Sequence, residues 1–235
     1  MKKLFLIFTT IFFLMPVFCQ EENIEETADQ VVEEPAAEAS RYTADFVMQF
    51  EPGIYINTES VLVSAPSPIV YPITVGFLWP DASMLAIQPT ISFFMMQHLY
   101  YDNRALPAEI ENRTTTTLSF MLNIPAIYSI FLQNSCFQIS AGLGIFMRFG
   151  LLSPGVKSTD SGWSGSAGED VKRINEYFWN KPRWLYLTAG GSWLYNLTPQ
   201  LRAGPVINIS IPVGGLIVDK DAQGMLISVG IKICR

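Results

Sequence analysis

From Thr43 to the C-terminus the chain passes through eight runs in which apolar and small polar residues alternate, and the polar half of that alternation is almost uncharged. A period of two puts successive side chains on opposite faces of a β-strand. A sheet that shows its polar face to water carries lysines and glutamates there. Here that face is Gly, Ser, Thr, Asn and Gln, which suits the inside of a narrow closed barrel whose apolar outside meets lipid. The expected fold class is all-β, an eight-stranded antiparallel up-and-down transmembrane β-barrel over residues 43–235.

Composition narrows the alternatives. The chain is 15% charged, below the ~25% of ordinary soluble domains. No stretch beyond the N-terminus holds ~18 uninterrupted apolar residues, so no spanning helix is available, and a closed barrel is the other spanning structure with every backbone group paired. Residues 1–19 read as a secretory signal peptide: Lys2 and Lys3, an apolar run from Leu4 to Phe18, and cleavage before Gln20. Cys19 as a lipidation site is the alternative, although Pro16, Val17 and Phe18 depart from the usual small-residue lipobox. Residues 20–42 read as a disordered acidic tail, with eight acidic residues between Glu21 and Glu38. The tail carries the charge imbalance, since 13 basic and 13 acidic residues follow from Arg41 onward. Export and a barrel together place the protein in the outer membrane of a diderm bacterium.

The runs are followed by parity. The first sets Phe46, Met48, Phe50, Pro52, Ile54 and Ile56 against Gln49, Glu51, Gly53 and Asn57; the fourth holds one parity from Leu118 to Leu132; the sixth, from Leu185 to Tyr195, is the weakest; the eighth sets Met225 to Ile233 against Ser228, Gly230 and Lys232. Three connections are short, around Pro80, Asn134 and Thr198, and four are longer, at about 58–68, 97–113, 151–183 and 212–223. Outer-membrane barrels have short periplasmic turns and long external loops, and an even strand number returns both termini, and the tail, to the periplasm. Phe46, Trp79, Tyr128, Phe137, Trp193 and Tyr195 all fall near the short turns, as an interfacial aromatic girdle requires. Prolines 52, 72, 89, 125 and 205 count against regular strands, because each removes a ladder donor.

Four residues of lumen parity are charged: Glu51, Arg148, Arg202 and Lys232. Isolated charges in a dry interior cost several kcal/mol each, so these should pair or stay hydrated. A salt bridge from Glu51 to Lys232 or Arg202 would plug the barrel or gate a thin water path; a purely structural polar core is the other reading. Cys136 and Cys234 lie on the fifth and eighth runs, which are not neighbours, so two free thiols are expected. Within the 151–183 loop, Glu169 to Trp179 forms a short amphipathic helix with Val171, Ile174 and Phe178 on one face. It serves as a lid or partner-binding element, or lies over the barrel mouth or in the headgroup region. For catalysis the lone His98, with Asp102 in the same loop, is the only ordinary base, and no nucleophile stands at motif spacing. No enzyme, cofactor or metal is expected, and no basic stripe with interleaved aromatics points to nucleic acid.

Leader, parity and loop lengths together resemble the small outer-membrane barrels of the OmpA-, OmpX- and OmpW-like families. Leu122-Asn123-Ile124-Pro125 followed by Ile139-Ser140-Ala141-Gly142-Leu143-Gly144 looks like the "IP…GAG" pattern of outer-membrane β-barrel domains. Ser228, Gly230 and Ile233 resemble the C-terminal signal read by the barrel-assembly machinery, from which Arg235 departs in place of a terminal aromatic. The resemblance implies outer-membrane lipid and that machinery as partners; the long loops 97–113 and 151–183 are where an extracellular ligand would bind. It implies a structural or surface-exposed barrel, an adhesin, a narrow porin-like channel for small solutes, or a conduit for small hydrophobic compounds. Two rivals stand beside it: a soluble lipocalin-like barrel with the apolar face turned inward on a hydrophobic ligand, and a lipid-modifying enzyme at the rim.

Overall fold

Alternation of period two produces long strands, and the strands close on themselves. The structure is a computed structural model that describes residues 43–58, 67–81, 83–101, 104–107 and 114–235. The signal peptide, Cys19, the acidic tail and Asp102 lie outside the described residues. In chain order the strands are β1 (Asp45–Phe50), β2 (Gly53–Tyr55), β3 (Ile69–Val70), β4 (Ile73–Leu78), β5 (Leu85–Ile87), β6 (Thr90–Tyr101), β7 (Arg104–Pro107), β8 (Thr115–Phe131), β9 (Ser135–Leu152), β10 (Ser161–Gly162), β11 (Gly165–Ser166), β12 (Leu185–Thr198), β13 (Leu201–Ile211) and β14 (Leu226–Cys234). Helix α1 spans Ala167–Trp179 and helix α2 spans Val213–Val218, with a 3-10 turn at Pro182–Trp184.

The wall is a continuous antiparallel ladder, β1 to β4, β6, β8, β9, β12, β13 and β14. It closes where β14 returns to β1, from Val47↔Cys234 to Phe50↔Ile231, and to β2, from Gly53↔Ser228 to Tyr55↔Leu226. Three of the prolines break wall strands. The first strand is interrupted at Glu51–Pro52, the second at Tyr71–Pro72 and the third at Gln88–Pro89. Each lacks an N–H to donate, yet the carbonyls still accept, from Val229 to Pro52 at 3.0 Å and from Phe77 to Pro89 at 3.1 Å. Pro125 and Pro205 sit inside unbroken strands. Pro125 is opposite Gly142, where a Cβ would stand 2.3 Å from the proline Cα, and Asn123 is opposite Gly144, where a Cβ would meet its Oδ1 at 2.3 Å. The Asn-Ile-Pro and Gly-Leu-Gly segments are therefore two halves of one packing arrangement between β8 and β9.

The apolar parity faces out. Ile124, Leu143 and Ile231 are about 60% exposed, at 64%, 60% and 59%, while Ser129 and Gln138 of the other parity are 1% exposed. This is the inverse of the lipocalin-like alternative, which needed the apolar set inside. The strand ends that lead into the longer connections lie at one end of the barrel and those that flank the short turns lie at the other. In the 97–113 region the expectation of a loop is corrected, because β6 continues to Tyr101 and turns back as β7, pairing from His98↔Pro107. The 212–223 connection likewise contains α2.

The interior corrects the expectation of a lumen lined by small neutral residues. It is layered. Val47, Leu78, Ala86, Ile127, Leu194 and Cys234 form an apolar cluster toward the short turns. Polar side chains fill the middle. Tyr55, Val70, Phe94, Met96, Met121, Phe146, Tyr186 and Leu226 form a second, aromatic-rich cluster toward the long loops. An eight-stranded barrel is narrow enough for side chains to fill it, and here they do.

Candidate functional site

The middle layer holds two of the four lumen charges. Lys232, on β14, donates from Nζ to Gln88 Oε1 at 2.5 Å and to Gln138 Oε1 at 2.8 Å. Gln138, on β9, also donates to Ser129 Oγ at 3.2 Å and accepts from Ser192 Oγ at 3.2 Å. Glu51 projects inward at the break between β1 and β2. Its Oε2 accepts from Asn208 Nδ2 at 2.6 Å and from Ser228 Oγ at 2.9 Å. The two groups thus face one space of about 60 Å³, room for a few waters. No ion pair joins Glu51 to Lys232 or Arg202 among the described residues; neutral donors and acceptors satisfy each charge instead. Buried charges need their hydrogen-bonding capacity filled in this way.

The other two charges lie apart. Arg202 pairs with Asp45 near the short turns. Arg148 lies under the long-loop mouth, with its guanidinium 4.5 Å from the Phe146 ring centre and 3.9 Å from that of Phe178, and donating to the Tyr55 hydroxyl at 3.0 Å. The four charges are therefore distributed along the lumen at three levels. Cys136 and Cys234 are free, buried thiols.

Phe178 comes from α1, which covers the mouth. Ser166 caps its N-terminus by accepting from Glu169 N–H, and the helix buries Ala167, Asp170, Ile174 and Phe178. Ile174 and Phe178 match the expected apolar face, while Asp170 was missed because a carboxylate in a first turn reads as a dipole partner. Its oxygens accept from Thr114 Oγ1 at 2.6 Å, Trp163 N–H at 2.9 Å and Ser164 N–H at 2.7 Å. Asn175 makes a reciprocal pair with the Gly150 backbone at 2.8 and 3.2 Å. These contacts pin the helix to the rim of β8 and β9. His98 stands on β6 rather than in a solvated loop. It is 2% exposed, hydrogen-bonded through Nδ1 to Thr117 Oγ1 at 2.6 Å and edge-on to Phe178 at 5.5 Å.

Behind the helix, Arg183 makes a two-pronged contact with Asp219 at 2.6 and 2.7 Å, donates to Tyr177 O at 2.8 Å and lies 4.0 Å over the Tyr177 ring. Burial pushes the Tyr177 phenol up to about 12, against the lowering effect of Arg183. The folded cap holds the neutral phenol. Its contribution to stability is full below the ordinary phenol value of about 10 and is lost as pH rises through about 12. The difference in tyrosinate absorbance between the parent protein and Tyr177→Phe should show a midpoint near the upper value; a midpoint at the ordinary one contradicts the burial.

Of the six aromatics expected to form a girdle, Phe46, Tyr128, Phe137, Trp193 and Tyr195 lie on strands near the short turns, and Trp79 follows the strand that ends at Leu78. Phe137 and Trp193 are cross-strand partners with rings 6.4 Å apart, Trp193 stacks on Tyr195 at 6.2 Å, and Phe46 packs edge-on to Phe77 at 5.9 Å. Trp79 bridges to Ile87, and Tyr128 is paired to Leu85 and Ile139.

No protein-family model and no curated protein sequence matches the chain. Among solved structures it is similar to Neisserial surface protein A, with a TM-score of 0.51 and 8% identity over 81% of this chain and 95% of that one. It also aligns with Ail, the attachment invasion locus protein of Yersinia pestis, at 0.43 and 4% over 81% and 95%. A major outer membrane protein from Thermus thermophilus aligns at 0.45 and 11% over 82% and 99%. The closed ladder, the outward apolar face and the likeness to the first of these define the class. The chain has the fold of the small eight-stranded antiparallel transmembrane β-barrels.

Proposed function

We propose that the protein is an outer-membrane barrel with a sealed lumen, which serves as a structural platform presenting its long-loop face at the cell surface and carries out no catalysis. One observation carries this reading: apolar clusters cross the lumen on both sides of the polar layer, and α1 covers the mouth. Water has no continuous polar path through such a stack. The acidic tail then lies in the periplasm, the apolar wall meets lipid, and the C-terminal strand is the segment the assembly machinery reads. The extracellular ligand, if the surface role is adhesive, meets the 97–113 and 151–183 segments.

The narrow-channel reading has one observation in its favour, the charged space between Glu51 and Lys232. Planar-bilayer recording of the refolded protein decides between them. The sealed barrel gives a quiet bilayer, and Glu51→Lys leaves it quiet. Steady unitary steps that change with Glu51→Lys establish the channel instead.

A further inference from the structure

Helix α1 straddles the barrel wall. Phe178 and Trp179 are consecutive, yet they stand on opposite sides of β9. Phe178 is buried in the mouth on Arg148, whereas Trp179 is 40% exposed and packs at 5.5 Å on Phe149, an outward residue that is itself 43% exposed. Since Arg148 and Phe149 are also consecutive, two neighbouring residues of the helix grip two neighbouring residues of the strand from inside and outside. The indole Nε1 closes the grip by donating to Arg148 O at 2.8 Å.

The height of this contact identifies what lies against it. Phe149 is twelve positions beyond Phe137 on the same strand. At roughly 3.3 Å per residue and a tilt of about 40°, that is about 30 Å along the barrel axis. An outer-membrane barrel carries an apolar band of about 25 Å between two aromatic girdles. If Phe137 and Trp193 belong to one girdle, Phe149 and Trp179 fall at the level of the other. The indole N–H is already satisfied by the wall, so the ring presents only its apolar face outward. Lys181, two residues on, is exposed, as a cation that reaches the headgroups should be.

We propose that Trp179, with Phe149 and Lys181, is a lipid-interface contact surface that anchors the plug helix, so that the bilayer itself helps hold Phe178 in the mouth. The occupant is the boundary between acyl chains and headgroups, because the surface is continuous with the apolar wall. The inference rests on the membrane reading and is tested beside it. The full barrel is refolded in phosphatidylcholine vesicles carrying bromine near the headgroup end or deep in the acyl chains. The Trp179 emission is isolated as the difference between the parent and Trp179→Phe, and the Trp193 emission in the same way with Trp193→Phe.

Trp179 emission should be quenched more by shallow than by deep bromines and little by aqueous acrylamide. Trp179→Asn should speed amide exchange in α1 by about tenfold, with Trp179→Tyr retaining protection. If Trp193 is lipid-quenched but Trp179 answers only to acrylamide, the anchor is wrong and the membrane reading stands. If neither is lipid-quenched, the membrane reading has failed. If Trp179 becomes lipid-quenched only when the protein is diluted, a second copy occupies the surface and the proposal is overturned.

Discussion

Alanine at Gly230 is expected to keep the barrel from closing. Gly230 lies on β14 where the wall turns from β1 to β2, opposite the break at Glu51–Pro52. A Cβ there would stand 1.9 Å from Phe50 O and 2.6 Å from Glu51 Cα, so two backbones must part. They are the two that carry the closing ladder, with Phe50↔Ile231 on one side and Gly53↔Ser228 on the other. Overpacking a core with flexible side chains costs about 1–3 kcal/mol; a clash against backbone has fewer routes of relief, and the expected loss is at least the upper end of that range. Gly191→Ala is the control, because its Cβ would meet only Gln138 O at 3.6 Å. Refolding of purified chains into vesicles, read by heat-modifiable gel migration, should give no folded band for Gly230→Ala and a normal one for Gly191→Ala. Because no assembly machinery is present, a failure there is one of closure and not of signal recognition.

Leucine at Gln138 should cost about 3–5 kcal/mol, the range for breaking a buried charged contact by removing one partner. Gln138 holds Lys232 on one side and Ser129 and Ser192 on the other. Its removal leaves a 2% exposed ammonium with fewer acceptors and two hydroxyls without this partner. The buried charge accounts for most of that loss. Gln138→Leu combined with Lys232→Met should therefore regain much of the loss, since an apolar pair of similar volume replaces a buried charged one at little net cost. Urea midpoints of the three variants in vesicles check this; a double variant no better than Gln138→Leu shows that the ammonium is hydrated and needs no amide partner.

Wall architecture was legible because the period-two alternation is a direct image of the backbone: Leu118 to Leu132 kept one parity, and β8 is one unbroken strand. The prolines were legible only as a warning. Pro52 breaks its strand while Pro125 and Pro205 pass through theirs, and the residues opposite these last two, Gly142 and Ile231, are 17 and 26 positions away in sequence and of different kinds, so no local pattern tells the cases apart. The lumen was misread because parity separates inside from outside but does not give depth. Phe94, Phe146, Tyr186 and Leu226 carry lumen parity, but a count of small polar residues averages over them, and only the register reveals that they meet at one level. The charges were found one by one. Their separation into Arg202 with Asp45, Arg148 under Phe178, and Glu51 near Lys232 depends on heights along tilted strands. Asp170 and His98 are buried by tertiary contacts that no local pattern records.

The central claim is that one parity of every wall strand meets lipid while the other fills the interior. Nitroxide scanning along β8 in bilayers tests it most directly, with Cys136 and Cys234 replaced by serine and alanine. Collision with oxygen dissolved in the bilayer should be high at Leu122, Ile124, Ala126 and Tyr128 and low at Met121, Ile127 and Ser129, repeating every second residue. Collision rates without that alternation, or with the maxima at the second set, contradict a lipid-facing apolar wall around a filled lumen.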